Sequence, residues 1–96
     1  MKKTMKAVIH WMPPEEGGRK AVIPVGMRYC PMLVFENEQP GDSQWSAEVY
    51  NNVVDGRTSS ADVSYLMEDA PMYLLQPGKK FMLYEGQRVV AEGELN

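Results

Sequence analysis

The sequence predicts an all-β domain, a small closed antiparallel β-barrel of about six strands with Greek-key connections. Short apolar runs alternate their residues with a period of two, as half-buried strands do. Pro, Gly and Asp clusters separate these runs, and no segment carries a long 3.6-residue apolar repeat bounded by helix caps. Closure follows because open edges of short strands invite aggregation, and a closed barrel removes them.

The length allows one domain with a real core. The chain has 96 residues, of which 44% are hydrophobic and 24% charged. This composition is typical of a globular protein rather than a disordered one. We therefore expect one domain over residues 1–96, with no internal linker or repeat.

The first two runs are KAVIHWM, residues 6–12, and KAVIPV, residues 20–25. In the first, Ala7, Ile9 and Trp11 share a face, and in the second the odd-numbered apolar residues do. Between them stands EEGGRK, residues 15–20, whose double glycine predicts a hairpin turn. Its two acidic and two basic residues would then pair across that turn.

Three further runs follow in the middle of the chain. MLVFE, residues 32–36, is short and rich in strand formers, whereas QWSAEVY, residues 44–50, and ADVSYLM, residues 61–67, alternate clearly. The polar segments 36–44 and 50–60 between them are expected to be loops.

The chain closes with KFMLY, residues 80–84, and RVVAEGEL, residues 88–95, which predict a hairpin. Before it, residues 67–75 contain a proline and predict a loop or a single turn. The large side chains on the apolar strand faces predict one shared core. They are Trp11, Trp45, Phe81 and Leu83.

The sequence offers little for catalysis. His10 is the only histidine and stands opposite the apolar face of its strand, so we expect it to be solvated. Cys30 is the only cysteine, and we expect it to be a half-buried packing residue. The carboxylate pairs Glu15-Glu16 and Glu68-Asp69 are expected to be solvated on loops. We therefore predict no catalytic, metal-binding or cofactor-binding residues and no enzyme activity.

Charge and hydropathy bear on the cellular location expected for the chain. The net charge is −3, but residues 1–28 carry six basic against two acidic residues. No apolar run approaches the roughly 20 residues that a helical membrane span needs. No apolar core of a signal peptide follows the first lysines, so the cytoplasm is the expected location.

Three motifs in order carry a resemblance to a known family. EEGGRK follows a strand, Tyr29-Cys30-Pro31 precedes the apolar MLVF, and PGKKFMLYEGQRVVAEGEL ends the chain. This pattern resembles the C-terminal β-barrel domain of elongation factor Tu, with its E-G-G-R turn, its Y-R-P motif and its closing strand pair. The resemblance covers nearly the whole chain. It implies inward-facing Phe81 and Leu83, and Gly93 at a close approach of the last strand.

The resemblance implies a non-catalytic binding module, standing without the GTPase domain and therefore without nucleotide binding. In the family the arginine of E-G-G-R faces transfer RNA, and Arg19 holds that place. Lys20 stands where histidine is common, and Cys30 replaces the arginine of Y-R-P, with Arg28 nearby. Arg19, Lys20 and Arg28 are thus the predicted partner-binding residues, and a protein partner is favoured over a structured RNA.

Two other functions stay open on the sequence. One is an enzyme whose site is built on the 36–44 and 50–60 segments. The other is a structural subunit that self-associates through apolar strand faces such as Met32, Val34 and Met82. The oligomeric state and the identity of any partner are open as well.

Overall fold

A computed structural model describes residues 3–36 and 45–96, and within them it consists of six antiparallel strands. The strands are β1 (Thr4–Trp11), β2 (Met32–Phe35), β3 (Trp45–Asp55), β4 (Thr58–Tyr65), β5 (Lys80–Glu85) and β6 (Arg88–Leu95). Two single 3₁₀ turns, Pro14–Glu16 and Met72–Leu74, are the helical elements of this part of the chain. The predicted all-β class is confirmed.

The strands close into a barrel in the order β1-β4-β3-β2-β5-β6. Strands β2, β3 and β4 follow one another as neighbours, and β1 pairs with the edge of β4 that faces away from β3. This order is a Greek-key arrangement. The hairpin of β5 and β6 completes the ring by pairing with β2 on one side and β1 on the other. The predicted closed antiparallel barrel is therefore confirmed.

The core of the barrel consists largely of the residues that the period-two alternation predicts to face inward. In β1 the buried side chains are Ala7, Ile9 and Trp11, as predicted. Phe81 and Leu83 are buried from β5, and Trp45 packs against the same cluster from its half-buried position. The predicted shared core is confirmed, and the T-shaped contact of Phe35 with Phe81, at 6.2 Å between ring centroids, forms part of it.

The last strand departs from strict alternation because it carries a β-bulge. Leu83 of β5 pairs with Ala91, but the next residue of β5, Tyr84, pairs with Val89. Val90 therefore has no paired residue on β5. Val90 and Ala91 are consecutive and both buried, since the extra residue shifts the face of the strand. Gly93 then lies opposite Phe81, where an added Cβ would stand only 2.5 Å from the Phe81 ring. The close approach implied by the resemblance is present.

The predicted strand at residues 20–25 is wrong. These residues belong to the connector, which we define as residues 12–31, and they form no strand. Pro24 has no N–H for a ladder, and the Met27 N–H closes a turn onto the Pro24 carbonyl. Only Ile23 of the run is buried, while Ala21 and Val25 are exposed.

The predicted hairpin at EEGGRK is also wrong, and the strand order gives the reason. A hairpin would pair β1 with residues 20–25, but those residues form no strand, and β1 lies between β4 and β6, separated from β2 in the ring. The connector must therefore travel across one end of the barrel. The double glycine makes a tight local turn instead: Gly17 has a φ of 92°, and a Cβ on Gly18 would stand 1.8 Å from the Met12 carbonyl oxygen.

The other predicted loops have different outcomes. Residues 50–60 are the tip of the β3–β4 hairpin rather than a loop, so the site expected there is not built on loop residues. Residues 67–75 contain the single turn that was predicted. Of segment 36–44, only Glu36 lies within the described residues.

Candidate interaction surface

Polar side chains of the β3–β4 hairpin fix the connector on the barrel. From the hairpin turn, Arg57 donates hydrogen bonds to three connector carbonyl oxygens, those of Met12 at 3.0 Å, Arg19 at 2.9 Å and Lys20 at 3.0 Å. A planar guanidinium presents five N–H donors in a fixed fork, which suits several carbonyls at once. One side chain thereby holds both ends of the double-glycine turn.

A buried hydrogen-bond chain holds the middle of the connector. The Trp11 indole donates to Ser59 Oγ at 2.8 Å, Ser59 donates to Asn51 Oδ1 at 2.7 Å, and Asn51 Nδ2 donates to the Ile23 carbonyl at 2.8 Å. Asn51 and Ser59 are both buried. Because a buried polar group without a partner is costly, this chain specifies one path for the connector.

Arg19 is the best-connected of the three predicted binding residues. Its guanidinium donates to Glu85 Oε2 at 2.6 Å and lies 5.4 Å from the centroid of the Tyr29 ring. The Tyr29 hydroxyl donates to the same carboxylate, and Arg88 reaches its other oxygen at 3.3 Å. The predicted pairing of Arg19 and Lys20 with Glu15-Glu16 is wrong, because Glu85 of the β5–β6 hairpin takes Arg19 instead.

The environment shifts the acid–base properties of this cluster. Partial burial opposes ionisation of Glu85, but hydrogen bonds from Tyr29 and Arg19 outweigh it and lower the pKa of the carboxyl group. Burial, followed by the hydrogen bond to Glu85, raises the pKa of the Tyr29 phenol. Glu85 is thus held as a carboxylate and Tyr29 as a neutral donor, which is a stable structural arrangement.

Lys20 and Arg28 lie at different points along the connector. Lys20 is exposed, and none of the ion pairs between described residues includes it. Arg28 is exposed and forms an ion pair with Glu48 of β3 at 2.8 Å. Of the three predicted residues, Lys20 is the one whose charge has no such internal counterpart in the described part of the chain.

Three exposed apolar side chains lie on two neighbouring segments, the connector and β3, and the sequence did not predict their exposure. They are Val25 (59% exposed), Met27 (54%) and Val53 (62%). The Gly26 N–H, between the first two, donates to the carbonyl of Asn51 at 3.1 Å, two residues before Val53. We call these three side chains the apolar patch.

Local signals in the sequence point to this patch in hindsight. Pro24-Val25-Gly26 is typical of a turn that needs a positive φ at its third residue, and Gly26 has a φ of 81°. A turn there ends the alternation, which leaves Val25 and Met27 outside. Val53 faces outward because the β3–β4 register shifts between Asn51 and Val53.

The other candidate residues are separate from the patch and from each other. His10 is exposed, as predicted, and contacts the Thr58 hydroxyl at 3.2 Å. Cys30 is exposed rather than half-buried, so that prediction is wrong, because Tyr29 rather than Cys30 takes the inward position. Glu15, Glu16, Glu68 and Asp69 are exposed, as predicted.

The strand face expected to drive self-association is largely covered. Val34 is buried, and Met32 and Met82 are half-buried. An open cleft of about 510 Å³ lies on the outer side of β1, β5 and β6. Its charged side chains have both signs and face solvent, and we assign it no ligand; they include Lys80, Glu92 and Glu94.

The described residues contain no group of three or more His, Cys, Asp and Glu side chains placed to hold a metal ion. No helix within that part of the chain is long and apolar enough to cross a membrane.

The fold and the surface define this chain as a small closed Greek-key barrel with an anchored connector. Comparison with models of known protein families finds no match, and comparison with curated proteins finds none either.

Proposed function

We propose that this chain is a non-catalytic binding module that docks a protein partner, similar in kind to the third domain of elongation factor Tu. The apolar patch is the observation that supports the proposal. Single exposed apolar side chains are normal on any surface, but neighbouring ones on a small domain mark interaction sites. Of the five large hydrophobic side chains that are exposed in the described residues, three belong to this patch.

The anchoring of the connector supports the same proposal. Arg57 and Asn51 fix the connector backbone just before Val25 and Met27, through the carbonyls of Lys20 and Ile23. A surface that is ordered before binding loses less conformational entropy when a partner arrives. The resemblance to a factor domain that contacts other macromolecules is consistent with this surface.

A protein is a better partner for this surface than RNA. Arg19 and Arg28 are already paired with Glu85 and Glu48, so a phosphate would have to compete with two carboxylates. Apolar side chains such as those of the patch gain little from a phosphate backbone. The net charge of −3 also opposes a polyanion.

The test is affinity capture from a lysate of the source cells, with and without nuclease, followed by binding of purified components. The patch variants are Met27→Asp and Val53→Asp, and Tyr73→Asp is the matched control, because Tyr73 is exposed elsewhere on the barrel. We expect a protein that resists nuclease, is retained by wild type and Tyr73→Asp, and is lost by both patch variants. Its purified form should bind wild type at least tenfold more tightly than either patch variant.

Three results would contradict the proposal. Partners that disappear on nuclease treatment would point to RNA, and titration with labelled transfer RNA against an Arg19→Ala/Lys20→Ala variant would then test the basic residues. Partners retained equally by all variants would remove the patch from the interface. A turnover reaction that is lost on substitution of this chain would contradict the non-catalytic assignment.

A further inference from the structure

We infer that the middle of the connector is a lid over one end of the barrel core, and that it opens as a unit while the six strands stay folded. We call this segment, residues 13–25, the strap. The inference goes beyond the proposed function, since the opening needs no partner. It follows from how the strap is attached, from what it covers and from which contacts its opening leaves intact.

The strap has no backbone hydrogen bond to the barrel within the described residues. Its backbone–backbone bonds are confined to local turns of the connector. The nearest backbone bonds to the barrel lie just outside its two ends. The Met12 N–H donates to the Val90 carbonyl at 2.9 Å. The Gly26 N–H donates to the Asn51 carbonyl at 3.1 Å. The strap can therefore move between two fixed points without breaking a backbone bond to the barrel.

Side chains of the barrel hold the strap in place. Arg57 donates to two of its carbonyl oxygens, and Asn51 donates to the Ile23 carbonyl at 2.8 Å. Glu85 forms an ion pair with Arg19 at 2.6 Å. The ion pair and the Arg57 bonds are partly exposed, so water can replace them when the strap lifts. Segments with few and partly exposed attachments are the ones that open before a whole domain unfolds.

The strap closes one end of the barrel core with little apolar burial. Ile23 is 3% exposed, and it is the strap residue that belongs to the buried hydrophobic core of the described chain. Val22 packs against the core from a half-buried position. The buried hydrogen-bond chain that begins at Trp11 ends on the Ile23 carbonyl through Asn51. Lifting the strap therefore exposes this end of the core and the Asn51 amide to solvent.

The barrel keeps its own contacts when the strap lifts. None of the strand pairs within the described residues includes a strap residue. The isolated bridge between Tyr29 and Val49 also lies outside the strap. Because stability follows the apolar surface that is buried, loss of Ile23 and Val22 from the core removes a small share of it. Opening of the strap should therefore require less free energy than unfolding of the barrel.

Thiol labelling at a buried position tests the opening. Ile23→Cys and Leu83→Cys are each made in the full chain together with Cys30→Ser, because the exposed Cys30 would itself react. Both positions are buried, one in the strap and one in β5. Each labelling rate with dithionitrobenzoate is divided by the rate of the same variant when unfolded. We expect the normalised rate below the unfolding transition to be at least about tenfold higher at position 23. This rate should also rise less steeply with denaturant, because opening exposes less surface than unfolding.

Three further substitutions separate strap opening from global unfolding. Phe81→Leu weakens the core at the end of β5 away from Glu85. It should raise the rate at position 83 about three- to tenfold and leave the rate at position 23 unchanged, because the barrel contacts persist in the open state. Arg57→Ala should raise the rate at position 23 about fivefold, the effect of losing a partly exposed group of hydrogen bonds. Lys80→Ala, at an exposed lysine of β5, should change neither rate.

Hydrogen exchange in wild type gives a second measurement that needs no new thiol. The buried side-chain amide of Asn51 should exchange faster than the backbone amides of β6, relative to their unfolded rates, and with a shallower denaturant dependence. One common denaturant slope for both groups would overturn the inference, even where Ile23→Cys itself loosens the strap. Acceleration at positions 23 and 83 by the same factor in Phe81→Leu would also overturn it. Capture of a partner is unaffected by either result, so the proposed function is tested separately.

Discussion

The barrel and the connector are stabilised by different kinds of contact. In the barrel, backbone ladders join neighbouring strands around the ring, and apolar side chains fill the interior. In the connector, residues 12–31, one isolated bridge, Tyr29 with Val49, lies outside the named strands. Beyond this bridge, single backbone hydrogen bonds at Met12, Gly26 and Pro31 and side chains such as Arg57 and Asn51 attach it to the barrel.

Different contacts therefore determine the stability of the barrel and the position of the connector. Apolar burial and ladders determine whether the domain folds, since hydrophobic burial is the dominant favourable term. A few polar side chains determine where the connector lies, because each satisfies carbonyls that one particular path presents. Substitutions in the barrel should therefore change global stability, whereas substitutions at the anchors should change the connector first.

The largest effect is expected for Phe81→Ala in the barrel. Phe81 is buried and packs edge-on against Phe35, so its removal leaves a cavity. We expect a loss of about 3–5 kcal/mol in the free energy of unfolding, measured by denaturant titration. Tyr73→Ala, at a position that is 72% exposed, should change it by less than about 0.5 kcal/mol. An unchanged midpoint for Phe81→Ala would show that the core is not where we place it.

Gly93→Ala is expected to be the next most damaging change in the barrel. The new Cβ would stand 2.5 Å from the Phe81 ring and 2.9 Å from the Val8 carbonyl oxygen. Overpacking of this kind typically costs about 1–3 kcal/mol, and we expect the upper part of that range because one obstacle is backbone. Combining it with Phe81→Leu should recover part of the loss. Simple additivity of the two costs would contradict the proposed clash.

Asn51→Ala tests the buried anchor of the connector. The change leaves the Ile23 carbonyl and the Ser59 hydroxyl without their Asn51 partner, and such losses cost about 1–3 kcal/mol. Amide hydrogen exchange should accelerate in the connector by a larger factor than in β5 and β6. Asn52→Ala, at the exposed neighbouring position, serves as the control. Uniform acceleration across the chain would show that Asn51 acts only through global stability.

Arg57→Ala should act on the connector with a smaller global cost. It removes the bonds to Met12, Arg19 and Lys20, but Arg57 is partly exposed and water can replace it, so we expect about 1 kcal/mol. Exchange of connector amides should rise clearly at residues 18–23. Arg57→Lys should restore little, because an ammonium lacks the fork geometry. Full restoration by Lys would mean that charge alone matters at this position.

The smallest effect concerns pH and the Glu85 cluster that joins the connector to the β5–β6 hairpin. The folded state lowers the pKa of Glu85 below its ordinary value of 4.5. Near that value the unfolded chain binds more protons, so stability rises with pH there. The contribution of Glu85 is fully present above the unfolded pKa and is lost as the pH falls through the folded pKa. Because the cluster is partly exposed, the effect should be below about 1 kcal/mol.

Glu85→Gln is the variant that isolates this contribution. It should flatten the dependence of the unfolding midpoint on pH below the ordinary carboxyl pKa, while Glu68→Gln, at an exposed position, should leave the wild-type profile unchanged. A profile for Glu85→Gln that matches wild type would show that the three hydrogen bonds to Glu85 do not stabilise the folded chain.

Prediction from the sequence succeeded where the information was local. Alternation identified the inward faces of β1 and β5, and turn residues located the β5–β6 hairpin. It failed at residues 20–25, where alternation continued through Pro24 into a turn. It also failed for Cys30, whose exposure depends on how Tyr29-Cys30-Pro31 pairs alongside β3 rather than on its own polarity.

By itself the sequence determined the all-β class, a single core and most of the strands, because side-chain periodicity and turn chemistry act over a few residues. The tertiary structure decided the neighbours of β1, and with them the route of the connector across the barrel end. It also decided that Arg19 pairs with Glu85, 66 residues away along the chain, and that Val25, Met27 and Val53 stay exposed. These outcomes depend on which distant segments become neighbours when the barrel closes. Patterns over a few residues do not determine which segments those are.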